Sequence, residues 1–147
     1  MRRLRRAAAL VAFCATALPV RAQFISVSGS PSTLIVSSAV AGSPLNPASD
    51  ASTSYFLIVL TGTAQKISAQ LNSPMPAGVT LAATLAAPPG ATSLGPVALD
   101  ASARTVVTGI GLTIASRAIS YQLTATPAAG VVPLQSRTVT LTVSAAP

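Results

Sequence analysis

The chain has 147 residues, of which 50% are hydrophobic and only 7% are charged, and its formal net charge is +7. This composition argues against intrinsic disorder, which combines low hydrophobicity with high charge. The sequence contains no histidine, so it lacks the side chain most often used for acid–base catalysis near neutral pH.

The N-terminal 22 residues have the layout of a secretory signal peptide. An arginine-rich start precedes the apolar stretch 7–18, and Val20 and Ala22 place small residues at the −3 and −1 positions. The apolar stretch is too short to span a bilayer. We therefore predict a helical signal peptide over residues 1–22, cleavage between Ala22 and Gln23, and export to the periplasm, the cell surface or the extracellular medium.

Cleavage at this point would remove most of the basic charge. Four basic residues and two aspartates remain in 23–147, a net charge of +2: Lys66, Arg104, Arg117, Arg137, Asp50 and Asp100. The arginines thus fit a leader better than a nucleic-acid-binding tail, and no basic groove with stacking aromatics is predicted. The only cysteine, Cys14, lies in the leader, which predicts an exported chain without disulfides. No second apolar stretch predicts a transmembrane helix.

Period-two alternation of β-branched residues predicts strands along most of the exported chain. The predicted strands are 24–28, 33–38, 54–62, 65–71, 79–85, 119–125 and 137–144, with the shorter segments 97–99, 105–108 and 112–115 as further candidates. Residues 41–53, rich in Pro, Ser and Ala, predict a loop, and the "TGTA" stretch predicts a hairpin turn. Seven to nine short strands favour one antiparallel β-sandwich domain over 23–147.

The last two predicted strands carry a family resemblance. The segments "ISYQLTATPAAGVV" and "SRTVTLTVS" resemble the end of bacterial secreted immunoglobulin-like domains. The resemblance implies an immunoglobulin-like sandwich in which Tyr121 is a corner tyrosine whose hydroxyl binds a backbone group; the alternative is an ordinary core aromatic. Pilin and spore-coat-type fibre subunits are a more distant resemblance, from which the chain departs by lacking a cysteine pair and by having Ala146 in the penultimate position.

Residues that could carry catalysis or bind metal are sparse. Asp50 and Asp100 occupy turn positions that favour Asx-turns over a catalytic dyad. No metal-binding cluster and no cofactor site is predicted. Lys66 and Ser68, two residues apart on one strand face, are the one nucleophilic arrangement, but a solvated lysine is a poor base. We predict a protein that is not an enzyme, with a small Ser68/Lys66 hydrolase as the third hypothesis.

The stretch "YFLIVL", residues 55–60, has six apolar residues in succession, so both faces of its strand need a cover. Residues 41–53 or another subunit would provide that cover. The predicted interface residues are Phe24, Ile25, Val27, Tyr55, Leu57 and Val59. The leading hypothesis is an exported structural or surface-interaction module that binds an unknown protein or itself. The alternative is a fibre subunit that adds residues 23–28 to a neighbour, instead of pairing them within its own chain.

Overall fold

The structure, a computed structural model, describes residues 23–37 and 45–147. Within these ranges the chain forms two antiparallel sheets, and its only helical element is a short 3₁₀ turn, Pro127–Ala129. The all-β prediction is therefore confirmed. The predicted signal peptide with Cys14, the last residue of the predicted strand 33–38 and residues 41–44 of the predicted loop lie outside the described residues.

The described strands divide between a five-stranded and a four-stranded sheet. They are β1 (Gln23–Ser28), β2 (Ala48–Val59), β3 (Gln65–Leu71), β4 (Val79–Leu85), β5 (Thr92–Ser93), β6 (Val97–Ala98), β7 (Arg104–Ile110), β8 (Thr113–Ala125) and β9 (Val139–Ala145). Sheet 1 has the order β1-β2-β8-β4-β6, and sheet 2 has the order β5-β7-β3-β9. This arrangement is consistent with the predicted β-sandwich.

One apolar core lies between the two sheets. Strand alternation sends every second side chain of β2, β4 and β8 inward from sheet 1, and every second side chain of β3 inward from sheet 2. Strand β7, whose register shifts against β3, buries the neighbouring residues Val106 and Val107 together with Ile110. The predicted inward face of β3, formed by Ile67, Ala69 and Leu71, is confirmed, because all three residues are buried. Burial of each large side chain contributes about 1.5–3 kcal/mol, so this shared core holds the sheets together.

The "TGTA" stretch does not form the predicted hairpin. Strand β2 pairs with β1 and β8 in sheet 1, whereas β3 pairs with β7 and β9 in sheet 2. The stretch therefore crosses from one sheet to the other, because both flanking strands face the same core. The buried Gln65 fixes the crossing: its Nε2 donates to the Thr63 carbonyl at 2.9 Å and to the Thr61 hydroxyl at 3.2 Å.

Two predictions near the N-terminus are wrong where the structure describes them. Residues 33–37 do not form a strand, and the predicted loop 41–53 is β-strand from Ala48 onward. A bulge between Asp50 and Thr53 allows this polar end of β2 to continue pairing with β8. Short polar residues favour loops in sequence patterns, but here they occupy a strand end whose ladder continues around the bulge.

The C-terminal half differs from prediction in its strand bounds. Residues 112–115 and 119–125 were predicted as separate strands, but 113–125 form the single strand β8. Strand β9 begins at Val139 and not at Arg137, because the Thr138 amide donates to Asn72 Oδ1 at 3.0 Å and not to a strand carbonyl. The last two strands, β8 and β9, lie in opposite sheets, whereas the last two strands of an immunoglobulin domain share one sheet.

The two terminal strands of the described domain each lie at a sheet edge. Strand β1 pairs over its whole length with β2 of the same chain, from Gln23 opposite Val59 to Ser28 opposite Ser54. Strand β9 pairs with β3 at the edge of sheet 2. The first strand is thus paired within its own chain, with β2.

Candidate interaction surface

The predicted Ser68/Lys66 pair lies on the outward face of sheet 2. Lys66 is opposite Ser144, and Ser68 is opposite Thr142, so hydroxyl-bearing side chains of β9 surround the pair. Both residues are only partly buried. The residues opposite the pair on β9 carry no acid or base that could activate Ser68.

Both aspartates form the predicted Asx-turns. The Ser52 amide donates to Asp50 Oδ1 at 3.0 Å, and the Ser102 amide donates to Asp100 Oδ1 at 2.7 Å. Asp100 also forms an ion pair with Arg104, and the hydrogen bond from the Arg104 guanidinium holds the pKa of Asp100 below its usual value. The carboxylates therefore serve local backbone and side-chain partners.

Asp50 has a further structural role, because it fixes the chain that follows β1. The Ser32 hydroxyl and amide donate to Asp50 Oδ2 at 2.6 and 3.1 Å, and the Ser52 hydroxyl donates to Oδ1 at 2.7 Å. These hydrogen bonds hold the pKa of Asp50 well below its usual range, and the bond from the Ser32 hydroxyl has the largest effect. An ionised Asp50 thus ties residues 30–32 to the bulge of β2.

The two tyrosines of sheet 1 are core residues with bonded hydroxyls. The Tyr55 hydroxyl donates to the Ala86 carbonyl at 2.6 Å, and burial raises the pKa of Tyr55 to about 12. Burial also raises the pKa of Tyr121, which a hydrogen bond with the Thr53 side chain partly offsets. Tyr121 therefore has a side-chain partner, and the corner-tyrosine role remains a prediction from the resemblance alone.

The structure separates the six predicted interface residues into two groups. Tyr55, Leu57 and Val59 are fully buried in the core, so they cannot contact a partner while the domain stays folded. This part of the interface prediction needs correction: the three residues are on the inward face of β2. Ile25 packs partly against the core, whereas Phe24 and Val27 are exposed.

The exposed apolar surface lies on the opposite, outward face of β2. Phe24 of β1, Ile58 of β2 and Ile114 of β8 form one row across three neighbouring strands, because Phe24 is opposite Ile58 and Ile58 is opposite Ile114. Phe24 is 53% exposed and Ile114 is 65% exposed. Phe56, also exposed, occupies the next outward position of β2.

Two exposed leucines extend this surface beyond the strand ends. Leu60 follows β2 directly, and Leu112 directly precedes β8, where it is 72% exposed. We refer to the six residues together as the outer apolar cluster: Phe24, Phe56, Ile58, Leu60, Leu112 and Ile114. Neither residues 45–53 nor sheet 2 covers it, because β2 carries it on the face away from the core.

The outward face of sheet 1 carries no charge in the described residues. Every outward position of β1, β2, β4 and β8 is Ser, Thr, Ala, Gln or a large apolar residue. The charged residues of these strands have the inward register: Asp50 is opposite Tyr121, and Arg117 is opposite Tyr55. The Arg117 Nε donates to the Ala87 carbonyl at 3.2 Å, at the end of the sheet.

A cleft opens between the sheets at the end nearest Asp50. This cleft of about 680 Å³ lies between residues 27–34 and 134–139 and has Leu81, Leu123 and Tyr121 in its lining. Ligand pockets combine apolar lining with polar groups that orient the ligand. Here two of the polar side chains already have partners in the chain: Arg137 bonds to Pro74, and Tyr121 bonds to Thr53. The outer apolar cluster is therefore the stronger candidate.

Sequence reasoning missed most of this cluster because it assigned the apolar run 55–60 to the wrong face. A usable signal was present in residues 112–125: Ile114 and Ile119 have opposite parity, so one continuous strand must place them on opposite faces. The prediction of two separate strands concealed that conflict.

The chain matches no protein-family model, no curated protein and no solved structure. Within 23–37 and 45–147, no helix has the length and apolar character needed to cross a membrane. The same residues contain no group of three or more His, Cys, Asp or Glu side chains placed to hold a metal ion.

Proposed function

We propose that this protein is a non-enzymatic, exported surface-interaction module that binds through its outer apolar cluster. The observation that carries the proposal is the row of Phe24, Ile58 and Ile114 across an uncharged sheet face. Antiparallel sheets commonly place polar residues on their solvent face. A contiguous group of large apolar side chains there typically marks an interaction site.

The size of the cluster supports this role. If a fully exposed large side chain presents about 200 Å², the exposed fractions of the five members other than the partly buried Ile58 together give about 500–600 Å² of surface. Patches of this size on single domains are commonly functional. Export outside the cytoplasm is part of the same proposal and rests on the sequence of the leader. The relation to immunoglobulin-like domains rests on the sequence of residues 119–144 alone, since the strands formed there lie in opposite sheets.

Site-specific photo-crosslinking in cells that express the full chain tests this function. A photoreactive phenylalanine analogue at Phe56 should form a covalent adduct with a partner, because Phe56 lies inside the cluster. The same analogue at Val131, a fully exposed residue outside the sheets, is the control and should form none. Equal labelling at both positions, or no adduct at Phe56, would contradict the proposal; protein sequencing should find Gln23 at the exported N-terminus.

The second candidate function is a fibre subunit that exchanges β1 between neighbours. The observation that favours it is the peripheral position of this strand: β1 is a sheet edge, has no fully buried side chain and contains neither charge nor proline to discourage pairing. A neighbour's β2 would offer the same register that Gln23–Ser28 uses within the chain.

A disulfide staple separates the two candidates. Ser28 and Ser54 are directly opposite each other, with their hydroxyl oxygens 3.0 Å apart, so the pair Ser28→Cys and Ser54→Cys has suitable geometry. The oxidised variant locks β1 onto its own β2. Strand exchange predicts that this variant stops assembling, whereas binding through the cluster predicts unchanged association.

A further inference from the structure

We infer that the outer apolar cluster binds a second copy of this chain. In the resulting two-fold symmetric dimer, the outward face of sheet 1 of one copy packs against the same face of the other. This inference rests on the proposed function, since it names the partner of the same surface. It differs from strand exchange because both copies keep β1 paired to their own β2.

The first support is the area available for burial. Two copies of the cluster would remove roughly 1,000 Å² of apolar surface from water, about the minimum for a specific protein interface. The small Ser and Ala side chains that flank the cluster, such as Ser26 and Ser116 on either side of Phe56, add area at the rim. They also allow the larger side chains of the copy to approach the sheet closely.

The second support is electrostatic. A two-fold contact places each patch against itself, so any charge in it faces a like charge nearby. The outward face of sheet 1 avoids this cost, because its described positions are all uncharged. The charges of β2 and β8, Asp50 and Arg117, are bonded to groups at the sheet ends instead. Self-association therefore requires no buried or repelling ions.

The third support is shape. Phe24, Ile58 and Ile114 lie on adjacent strands about 4.8 Å apart, so the row spans three strands on one side of the sheet. Sheets that pack face to face keep their strands within about 30° of each other and interlock their side chains. A two-fold axis in the plane between the two faces would bring each row against the row of the copy.

A membrane surface is the competing occupant of an exposed apolar cluster. Peripheral proteins combine apolar insertion with Lys or Arg for anionic headgroups, and they commonly use Trp or Tyr at the interface. The described outward positions of sheet 1 hold no Lys, Arg, Trp or Tyr. The surface therefore fits an uncharged protein face better than a lipid headgroup layer.

Sedimentation velocity on residues 23–147, from low micromolar to millimolar concentration, tests the dimer. The wild-type chain and the oxidised Ser28→Cys/Ser54→Cys variant should both dimerise with the same dissociation constant. Ile114→Thr keeps a β-branched side chain but should raise that constant on the order of 100-fold, because each substitution occurs twice in the dimer. Val131→Thr is the matched control outside the cluster and should behave as wild type.

Each outcome decides the inference. A wild-type chain that stays monomeric at millimolar concentration, or an Ile114→Thr variant with an unchanged dissociation constant, would overturn it. Loss of association in the stapled variant would assign assembly to strand exchange. Flotation of wild type, but not of Ile114→Thr, with vesicles of neutral and anionic lipid would assign the surface to a membrane. If the photo-crosslinked partner at Phe56 is a different protein, the proposed function stands and the second-copy inference fails.

Discussion

The assignment of strand faces in β8 makes a quantitative prediction about two isoleucines. Ile119 is fully buried, whereas Ile114, five positions earlier in the same strand, is 65% exposed. Replacing either residue with alanine makes the same chemical change and the same change in strand propensity. Any difference in the free energy of unfolding therefore reports burial alone.

The expected magnitudes follow from that burial. Ile119→Ala removes three buried carbon groups, worth about 0.8 kcal/mol each by transfer, and the cavity brings the loss to about 3 kcal/mol within the usual range of 2–5. For Ile114→Ala only about a third of that transfer free energy is at stake in the monomer, so we expect a loss below about 1 kcal/mol.

Urea unfolding followed by circular dichroism measures both losses. With a slope of about 2 kcal/mol per molar urea, Ile119→Ala should lower the midpoint by about 1.5 M and Ile114→Ala by less than about 0.5 M. The proteins should be compared at a concentration at which all are monomeric. Equal losses, or a larger loss for Ile114, would mean that the register of β8 is shifted by one residue, and would refute the assignment of its faces.

Three further predictions concern ionisation and chemistry. The pKa of Asp50 is lower in the folded chain than in the unfolded chain, so ionised Asp50 should stabilise the fold above its unfolded pKa and lose this effect as the pH falls towards its folded pKa. Asp50→Asn should flatten the dependence of urea stability on acid pH. An unchanged profile would contradict the stabilising role of ionised Asp50. Since burial raises the pKa of Tyr55 to about 12, ultraviolet titration should show a tyrosine that ionises well above the usual pKa of about 10, and stability should fall as the pH rises between these two values. Tyr55→Phe should lower the free energy of unfolding by about 1 kcal/mol, because the hydrogen bond to the Ala86 carbonyl is lost. Ionisation of both tyrosines at the usual pKa would contradict the burial of Tyr55. A serine-reactive phosphonate should label wild type and Ser68→Ala equally, because the residues that face Lys66 and Ser68 on β9, Ser144 and Thr142, offer no acid or base to activate Ser68. Labelling that depends on Ser68 would revive the hydrolase hypothesis.

The fold class could be predicted from the sequence because it follows from the local alternation of apolar and polar residues along each strand. Residues 66–71 alternate between polar and apolar side chains, and residues 79–85 have Val, Leu, Ala and Leu at every second position. Both segments became strands with the expected inward faces. Such segments bury one face only, so the pattern alone fixes which side chains enter the core.

Strand pairing could not be predicted in the same way. The "TGTA" stretch has the length and composition of a hairpin turn, but a crossing between sheets can use the same residues. The choice depends on which strands β2 and β3 meet at positions far along the chain, such as Leu57 opposite Ala115 and Ala69 opposite Leu141. These contacts join residues that are far apart in the chain, so local propensity does not predict them.

The candidate surface was only partly predictable for a related reason. The apolar run 55–60 correctly indicates that both faces of β2 carry large side chains. Which face enters the core depends on the register against β8, and one residue of shift exchanges the two faces. Tyr55 and Leu57 were therefore interchangeable with Phe56 and Ile58 until the pairing with β8 was known.

Intermolecular nuclear Overhauser effects in a mixed sample test the central claim most directly. One half of the protein would carry ¹³C-labelled isoleucine and leucine methyl groups, and the other half would be unlabelled. Stacked outer clusters predict cross-subunit effects from the Ile58 and Ile114 methyl groups to the aromatic protons of Phe24 or Phe56. Cross-subunit effects confined to the methyl group of Ile25 on β1 or to Leu141 on the β9 edge, or none at all at millimolar concentration, would contradict the claim.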